Sequence, residues 1–404
     1  MTRAEEAAVA IIGGGFTGLS AALHLAERGV KVCLVEQGEI GHGASGRNNG
    51  QVIPHYTIYT PGDIAAKLGP RQGERLNGLV RDSAALVFDL IRRHDIDCDA
   101  VQNGWMQPAH SQSRVARSRL LARQWSERGA NVEFLDRRRT TDMLGAGGYF
   151  GGWMAASGGH INPLAYARGL ARAAARAGAR IFVRSPALRV ARDDGGWRVE
   201  TIAGSIAAGK VLLATNAYTG ALWPGLEQTI IPVRSYQIAT RPLGGNVRKS
   251  IIPGNQAVSD TRGDLRFFRY DRDGRLVTGG GYVLWHNAEA RARRSRERLL
   301  AQVFPALDGI EFDYFWDGLI AVTPDRLPRL FNLAPGAFAA LAYSGRGVAF
   351  ATAMGPVIAD WLQGAPPEDL PLPVGGLARI PAHGLAKLAG RGMRLVYRWR
   401  DARD

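Results

Sequence analysis

AAVAIIGGGFTGLSAALHLAERGVKVCLVE, residues 7–36, decides how the rest of the chain is read. Ala7 to Ile12 is a short, uncharged β-type run, and Gly13-Gly14-Gly15-Phe16-Thr17-Gly18 follows it directly. Leu19, Ala22, Leu23 and Ala26 then recur at helical spacing until Gly29 stops the helix. Lys31 to Val35 is a second strand, and it ends on Glu36. The order is strand, G-x-G-x-x-G, helix, strand, acid, with 18 residues from the last glycine to the carboxylate. Gly13 permits the tight turn, Gly15 lets the backbone approach a pyrophosphate, and Gly18 lets the helix lie close to the sheet. The helix N-terminus offers free N–H groups and a positive dipole end to phosphates. Glu36 accepts hydrogen bonds from ribose hydroxyls and repels a 2′-phosphate. A lone G-x-G-x-x-G is a weak signal; inside a complete βαβ unit it implies dinucleotide binding.

Gly43-Ala44-Ser45-Gly46-Arg47-Asn48-Asn49-Gly50-Gln51 separates FAD from NAD. It follows the ribose acid by a few residues and concentrates small and hydrogen-bonding side chains. Such a loop suits an extended FAD running from the glycine turn toward its ring. Ala44, Ser45, Arg47, Asn48, Asn49, Gly50 and Gln51 are therefore assigned to the cofactor with Gly13, Gly15, Gly18 and Glu36. GASGRNNGQ resembles the GASGRNGGQ signature of the FAD-dependent D-amino-acid oxidase superfamily, in the branch containing glycine, sarcosine and gamma-glutamylputrescine oxidases. Asn49 departs from the glycine usual in that branch.

The resemblance extends from about residue 7 to 400. Ser157-Gly158-Gly159-His160-Ile161-Asn162-Pro163 precedes a helix from Leu164 to Ala177, and His160 reads as a structural member of that connector. Ala179 to Val183 is a strand, and Leu188 to Val190 with Trp197 to Ile202 forms a hairpin around Asp193-Asp194-Gly195-Gly196. Val211 to Tyr218 resembles the family's second cofactor strand, which places Thr215 and Asn216 beside FAD. Trp316-Asp317-Gly318, Thr323 to Pro328 and Ala342-Tyr343-Ser344-Gly345-Arg346-Gly347-Val348 occur in the family's order. The resemblance implies that the helix from Val348 to Leu362 points its N-terminus at the flavin N1–C2=O edge, where negative charge develops on reduction. Gly345, Gly347 and Val348 then contact the cofactor, and Arg346 adds positive charge at the same turn.

The expected fold is α/β, α+β overall, with a Rossmann-like FAD-binding domain interleaved with a mixed-sheet substrate domain. The first takes residues 1–98, 153–224 and 321–375. The second takes 99–152 and 225–320, with strands at Gly104 to Ala109, Val233 to Thr240 and Arg275 to Gly279. Residues 376–404 form a basic helical tail.

The implied reaction oxidises the C–N bond of an amine or amino-acid-like substrate by hydride transfer to flavin N5. The imine is then hydrolysed, and O2 reoxidises the flavin to give H2O2. A substrate amine bound deprotonated needs no strong base, so positioning supplies most of the catalysis. His55 and Tyr56 are the catalytic candidates beside Arg346, and Phe268, Arg269 and Tyr343 those facing substrate; ordinary packing is the competing reading for the first pair and for the Phe267–Arg269 strand. Relatives that bind an α-carboxylate carry an arginine where this chain has Asp271, which favours an amine or a more distant carboxylate. Gly318 stands where sarcosine oxidases carry a flavin-linking cysteine, so FAD should be non-covalent. Their oxygen-activating lysine aligns near Val277. This leaves open a dehydrogenase that passes electrons to a quinone or protein carrier at a membrane.

Composition limits the partners. The net charge of +15 would suit nucleic acid or an anionic surface, yet 46 of the 51 basic residues are arginines scattered over both domains, as a GC-rich genome produces. No nucleic-acid motif collects them. A non-catalytic or nucleic-acid-associated flavoprotein would need its basic residues clustered with exposed aromatics. No run of about 18 apolar residues spans a membrane. Peripheral contact stays open for the tail, where Arg379, Lys387, Arg391, Arg394, Arg398, Arg400 and Arg403 accompany Leu385, Leu388, Leu395, Val396 and Trp399; packing of that helix against the FAD domain is the preferred reading. Cys33 and Cys98 supply neither a disulfide framework nor a metal site, and no metal is expected. The N-terminus lacks a signal-peptide pattern, so a bacterial cytoplasm is the expected location.

Overall fold

The computed structural model describes residues 4–263, 266–281 and 286–389. The glycine-turn unit forms as the sequence implies. Strand Ala4–Ile12 leads through the turn into helix Phe16–Glu27, and strand Val32–Val35 returns parallel to the first. Val9 to Ile12 and Val32 to Val35 are buried throughout, because helices and loops cover both faces of a parallel sheet.

That sheet has nine strands. Its main path runs Val374–Gly375, Arg329–Ala334, Ala337–Leu341, Gly204–Leu213, Ala4–Ile12, Val32–Val35, Arg180–Phe182. The hairpin Ala187–Asp193 and Gly196–Thr201 joins it by antiparallel pairing to the first half of Gly204–Leu213. Helices Phe16–Glu27, Pro163–Arg176 and Gly347–Leu362 pack together against it. The crossing of the first and last is tight. A Cβ on Gly355 would lie 2.0 Å from Ser20 Oγ, whose hydroxyl donates to the Thr352 carbonyl at 2.8 Å.

A second, eight-stranded sheet runs Phe312–Val322, Ile231–Pro242, Arg275–Gly281, Phe267–Tyr270, Ala257–Ser259, Trp105–Pro108, Gly152–Ala155, Val132–Leu135. It is mixed, because Ala257–Ser259 and Trp105–Pro108 pair parallel among antiparallel neighbours. The expected boundary between residues 152 and 153 falls inside a strand of this sheet: Gly152–Ala155 pairs with both Trp105–Pro108 and Val132–Leu135. The chain returns to the first sheet only after a two-stranded ladder, Gln51–Val52 with Gly159–His160.

Two further expectations are sharpened. The 43–51 segment is not loop throughout; Ala44–Arg47 makes one helical turn, and a Cβ on Gly46 would meet the Gly41 carbonyl at 2.3 Å. The first part of the tail folds back on the body. Ile380 N–H donates to the Gln228 carbonyl, the His383 ring bonds the Ile230 carbonyl at 2.7 Å, and Lys387 pairs with Glu227 at 2.5 Å. Arg391, Arg394, Leu395, Val396, Arg398, Trp399, Arg400 and Arg403 lie outside the described residues. Among the described residues, no helix is long and apolar enough to cross a membrane.

The Gly355–Ser20 crossing yields a stability prediction. Gly355→Ala should lower unfolding free energy by about 1–3 kcal/mol through overpacking. Gly376→Ala, where a Cβ meets nothing within 4 Å, should leave it within about 0.5 kcal/mol. Urea unfolding of the two variants beside wild type makes the comparison.

Candidate active site

A cavity of about 600 Å³ runs between the two sheets, from Glu36 and Leu188 at one end to Gln237, Phe267 and Tyr343 at the other. Its first half is built from backbone. Gly13 has φ +116°, and a Cβ there would lie 2.7 Å from the Ala214 carbonyl. A Cβ on Gly18 would lie 2.1 Å from the Gly13 carbonyl, so both positions exclude a side chain. Glu36 is pinned by two amides, accepting from Gly14 N–H at 2.7 Å and Gly38 N–H at 2.9 Å. Its carboxylate thereby stands at the cavity edge at the position a ribose acceptor needs. Ser45 Oγ accepts from Phe16 N–H at 2.9 Å, tying the 44–47 turn to the helix N-terminus.

The middle of the cavity is bounded by Arg47, Thr215 and Asn216. Arg47 Nε donates to the His42 carbonyl at 2.7 Å and Nη1 to that of Asp317 at 3.2 Å. Gly318 lies against Arg47, with a would-be Cβ 3.3 Å from it, and offers no nucleophile. Cys33 and Cys98 are buried away from the cavity lining. Asn216, at φ +47°, accepts from Ala342 N–H at 2.9 Å. Ala342 (φ +72°), Ser344 (φ +48°) and Gly345 (φ +87°) then form a turn of left-handed residues. Such backbone costs about 1–3 kcal/mol per strained non-glycine residue and concentrates at functional sites. It carries the chain from strand Ala337–Leu341 into helix Gly347–Leu362, whose N-terminus opens onto the cavity.

The far wall comes from the second sheet. Ser235 and Gln237 alternate with the buried Tyr236 on one strand, and Ser259 and Phe267 line it from two others. Gln51 crosses from the first half: its Nε2 donates to the Val258 and Phe268 carbonyls at 2.7 and 3.2 Å. This fixes the amide orientation and leaves Oε1 buried without a partner. Gln237 Oε1, Ser344 Oγ and Arg346 Nε, all in lining residues, are orphaned too. Thr17 Oγ1 donates to the Tyr343 hydroxyl at 2.9 Å, and burial pushes the Tyr343 phenol well up.

Of the residues assigned from sequence, the cavity lining gathers Gly13, Gly15, Glu36, Ala44, Ser45, Arg47, Asn48, Asn49, Gln51, Thr215, Asn216, Tyr343, Gly345, Arg346, Gly347 and Val348. Gly18 and Gly50 lie behind it as packing positions; a Cβ on Gly50 would meet the Ile161 carbonyl at 2.1 Å. His55, Tyr56, Phe268 and Arg269 do not line it. His55 sits among Tyr56, Trp105, Trp125 and Trp153, accepting from the Trp125 indole N–H at 3.2 Å. Burial, with Arg346 and Arg117 nearby, pushes its pKa well below 6.5 and keeps it neutral. Tyr56 donates to Asn77 Oδ1 at 2.9 Å. Phe268 packs on Phe304 on the opposite face from Phe267, as strand alternation requires. Arg269 bonds the Asn49 and Tyr270 carbonyls and holds the cofactor loop. Asp271 closes the turn before Arg275, accepting from the Asp273 and Arg275 N–H groups. Phe267, a substrate-face candidate from sequence together with Phe268 and Arg269, does line the cavity. Ser235, Gln237, Ser259 and Ser344 were missed; the Ser235/Gln237 period-two pattern was their one visible signal.

A βαβ glycine turn, a pinned ribose acid and a second helix N-terminus on one elongated cavity define a dinucleotide-dependent flavoprotein. The chain belongs to the DAO family of FAD dependent oxidoreductases, whose family model matches residues 8–361. It is 33% identical over 370 residues to a probable oxidoreductase, OrdL, of Rhizobium meliloti, covering 91% of this chain and 86% of that one. It is 32% identical over 384 residues to the gamma-glutamylputrescine oxidoreductase of Escherichia coli, covering 92% and 89%. The crystal structure of glycine oxidase from Geobacillus kaustophilus shares the fold with a TM-score of 0.72 at 22% identity, covering 89% of this chain and 95% of that one.

The connector behind the site gives a pH prediction. His160 Nε2 lies 3.0 Å from Asn255 Oδ1, and burial, reinforced by Arg269, lowers its pKa to about 4. Between pH 6.5 and about 4 the unfolded chain takes up a proton that the folded chain refuses, so stability falls with pH. From pH 7 to 4.5 His160 alone should cost about 2 kcal/mol. Urea unfolding at both pH values should show His160→Asn losing that much less than wild type.

Proposed function

We propose that the chain oxidises the C–N bond of an amine or amino-acid-like substrate, with O2 as final acceptor and H2O2 as product. The observation that carries this is the polarity of the far chamber. Among the described residues that line it, Gln51, Ser235, Gln237, Ser259, Tyr343 and Ser344 supply hydrogen bonds, and no Asp, His or Lys is present. A site without a strong base suits loss of hydride from a neutral amine, where orientation does the work. The names borne by relatives, gamma-glutamylputrescine oxidoreductase and glycine oxidase, support the same substrate class.

FAD, when bound, supplies the two-electron oxidation, taking hydride from the carbon beside nitrogen, and the resulting imine adds water to release a carbonyl compound. The cradle of this chain fits that group. Gly13, Gly15 and Thr17 line the cavity at the N-terminus of helix Phe16–Glu27, where the positive dipole end would face a pyrophosphate, and Glu36 stands at its edge for a ribose. Gly318 and the buried cysteines support non-covalent retention. The orphaned Gln51 and Gln237 oxygens are acceptors for substrate N–H. The amides of Gly347 and Val348, with Arg346 at the helix N-cap, hold positive potential at the chamber's inner end.

A second reading, transfer of electrons to a quinone, draws on the absence of any lysine among the described lining residues; Val277, near which the lysine of sarcosine oxidases is expected to align, is buried hydrocarbon. Anaerobic reduction of the purified protein by a panel of amines and N-substituted amino acids, followed by mixing with air, separates the two. The oxidase reading predicts prompt reoxidation with peroxide formed. A reduced flavin that persists in air and discharges to a quinone establishes the second. The reduction rate should rise with pH toward the amine pKa of the substrate, without a limb from an enzymic base near 6–7.

A further inference from the structure

The helix that opens the C-terminal tail is inverted. Residues 383–389 are helical, and their polar side chains face the body. The His383 ring bonds the Ile230 carbonyl at 2.7 Å, and Lys387 pairs with Glu227 at 2.5 Å. Four residues apart, these contacts lie on one side and fix the rotation of the helix. Leu385 and Leu388 are consequently turned outward, 69% and 62% exposed, with Gly384 and Ala389 exposed beside them. The outer face of the described helix thus carries no charge and two large apolar side chains at i, i+3. A surface helix ordinarily does the reverse, burying its leucines and wetting its polar residues. Adjacent leucines held out in this way mark a face that an apolar phase covers.

The surrounding charge identifies that phase. From Leu370 to Arg400 the chain holds no aspartate or glutamate, while Arg379, Lys387, Arg391, Arg394, Arg398 and Arg400 fall within it. Beyond the described residues the pattern is one of sequence: Leu395 and Trp399 continue the spacing of Leu385 and Leu388 through Gly392, with arginines between them. Leucine and tryptophan interleaved with arginine suit a lipid interface, where apolar side chains reach the acyl boundary and guanidiniums the phosphates. Nucleic acid would engage the arginines and leave the leucines in water. A second copy, meeting this face about a two-fold axis, would bring two basic tails together. An anionic bilayer satisfies leucines and arginines at once. The charge of the whole chain is scattered; here it is local and one-signed.

We propose that the helix at 383–389, with the basic segment after it, docks the protein on anionic phospholipid membranes. Glu227 and Ile230, which hold the helix, lead directly into strand Ile231–Pro242, the strand that carries Ser235 and Gln237. The proposal goes beyond the amine-oxidising reading and does not rest on it.

The test co-sediments the full-length, FAD-loaded protein with vesicles of phosphatidylglycerol and phosphatidylcholine, and with phosphatidylcholine alone. Wild type should bind the anionic vesicles, bind the neutral ones about tenfold more weakly or less, and be released by high salt. Leu385→Ser/Leu388→Ser should weaken binding to anionic vesicles about tenfold, through the apolar area it removes. Arg391→Gln/Arg394→Gln/Arg398→Gln should weaken it at least as much. Both variants should keep the FAD content and thermal midpoint of wild type, which separates lost docking from misfolding. No vesicle binding by wild type, equal binding to neutral vesicles, or undiminished binding by the leucine variant would each overturn the proposal. So would a wild-type dimer in sedimentation velocity that the leucine variant loses, which gives the face to a second copy. Truncation after Ala389 should weaken vesicle binding; tighter binding would show that residues 390–404 cover the leucines, and would also overturn it. None of these readouts involves reduction of the flavin by amines, so docking and the oxidase chemistry stand or fall separately.

Discussion

The site depends on three close approaches that exclude side chains. Gly13 lies against the Ala214 carbonyl, Gly18 against the Gly13 carbonyl, and Gly355 against Ser20. The first two press the glycine turn onto the neighbouring strand and lay helix Phe16–Glu27 on the sheet. The third lets helix Gly347–Leu362 cross that helix at backbone distance, buried with it in one core. Two helix N-termini consequently open on the same cavity, one at the glycine turn and one at the 342–347 turn. Their dipoles and free N–H groups add to the positive character that Arg47 and Arg346 give the lining.

The second sheet supplies what the first lacks, a wall of neutral hydrogen-bonding groups. Gln51 joins the two, rooted in the cofactor loop and bonded to carbonyls of strands Ala257–Ser259 and Phe267–Tyr270. Arg269 reaches back the other way to the Asn49 carbonyl. These reciprocal bonds fix the distance between the 43–51 segment and the second-sheet wall, a quantity on which the proposed hydride transfer would depend steeply. The left-handed turn at residues 342–345 holds strain at the same place, tied down by Asn216 and by the Ala321 carbonyl.

The βαβ unit, the cofactor loop and the C-terminal glycine turn were legible because their information is local: each residue's task follows from its neighbours within a few positions. The substrate wall was not. Phe267 and Phe268 are indistinguishable by composition, and only strand parity assigns one to the cavity and the other to Phe304. His55 read as a site candidate because it follows the cofactor loop closely in sequence. Its aromatic cage comes from Trp105, Trp125 and Trp153, on elements far apart in sequence. Arg269 and Arg346 posed the reverse difficulty: both read as substrate-side or flavin-side cations, and only their hydrogen bonding tells the satisfied one from the unsatisfied one.

Surface pairs such as Arg128–Glu74 and Arg28–Asp360 cancel in the count; the +15 is the excess of 51 basic over 36 acidic residues, scattered along the chain, so it says little about partners. What matters is where charge is left unpaired in the cavity and where an acid is pinned at its edge. The central claim is that Glu36 and the glycine turn hold FAD without a covalent bond, and flavin content tests it directly. Purified wild type should carry stoichiometric FAD, released intact on denaturation, and Glu36→Arg should retain almost none while keeping its far-UV circular dichroism. A colourless wild type that takes up no added FAD, or a Glu36→Arg protein with its full complement, would contradict it.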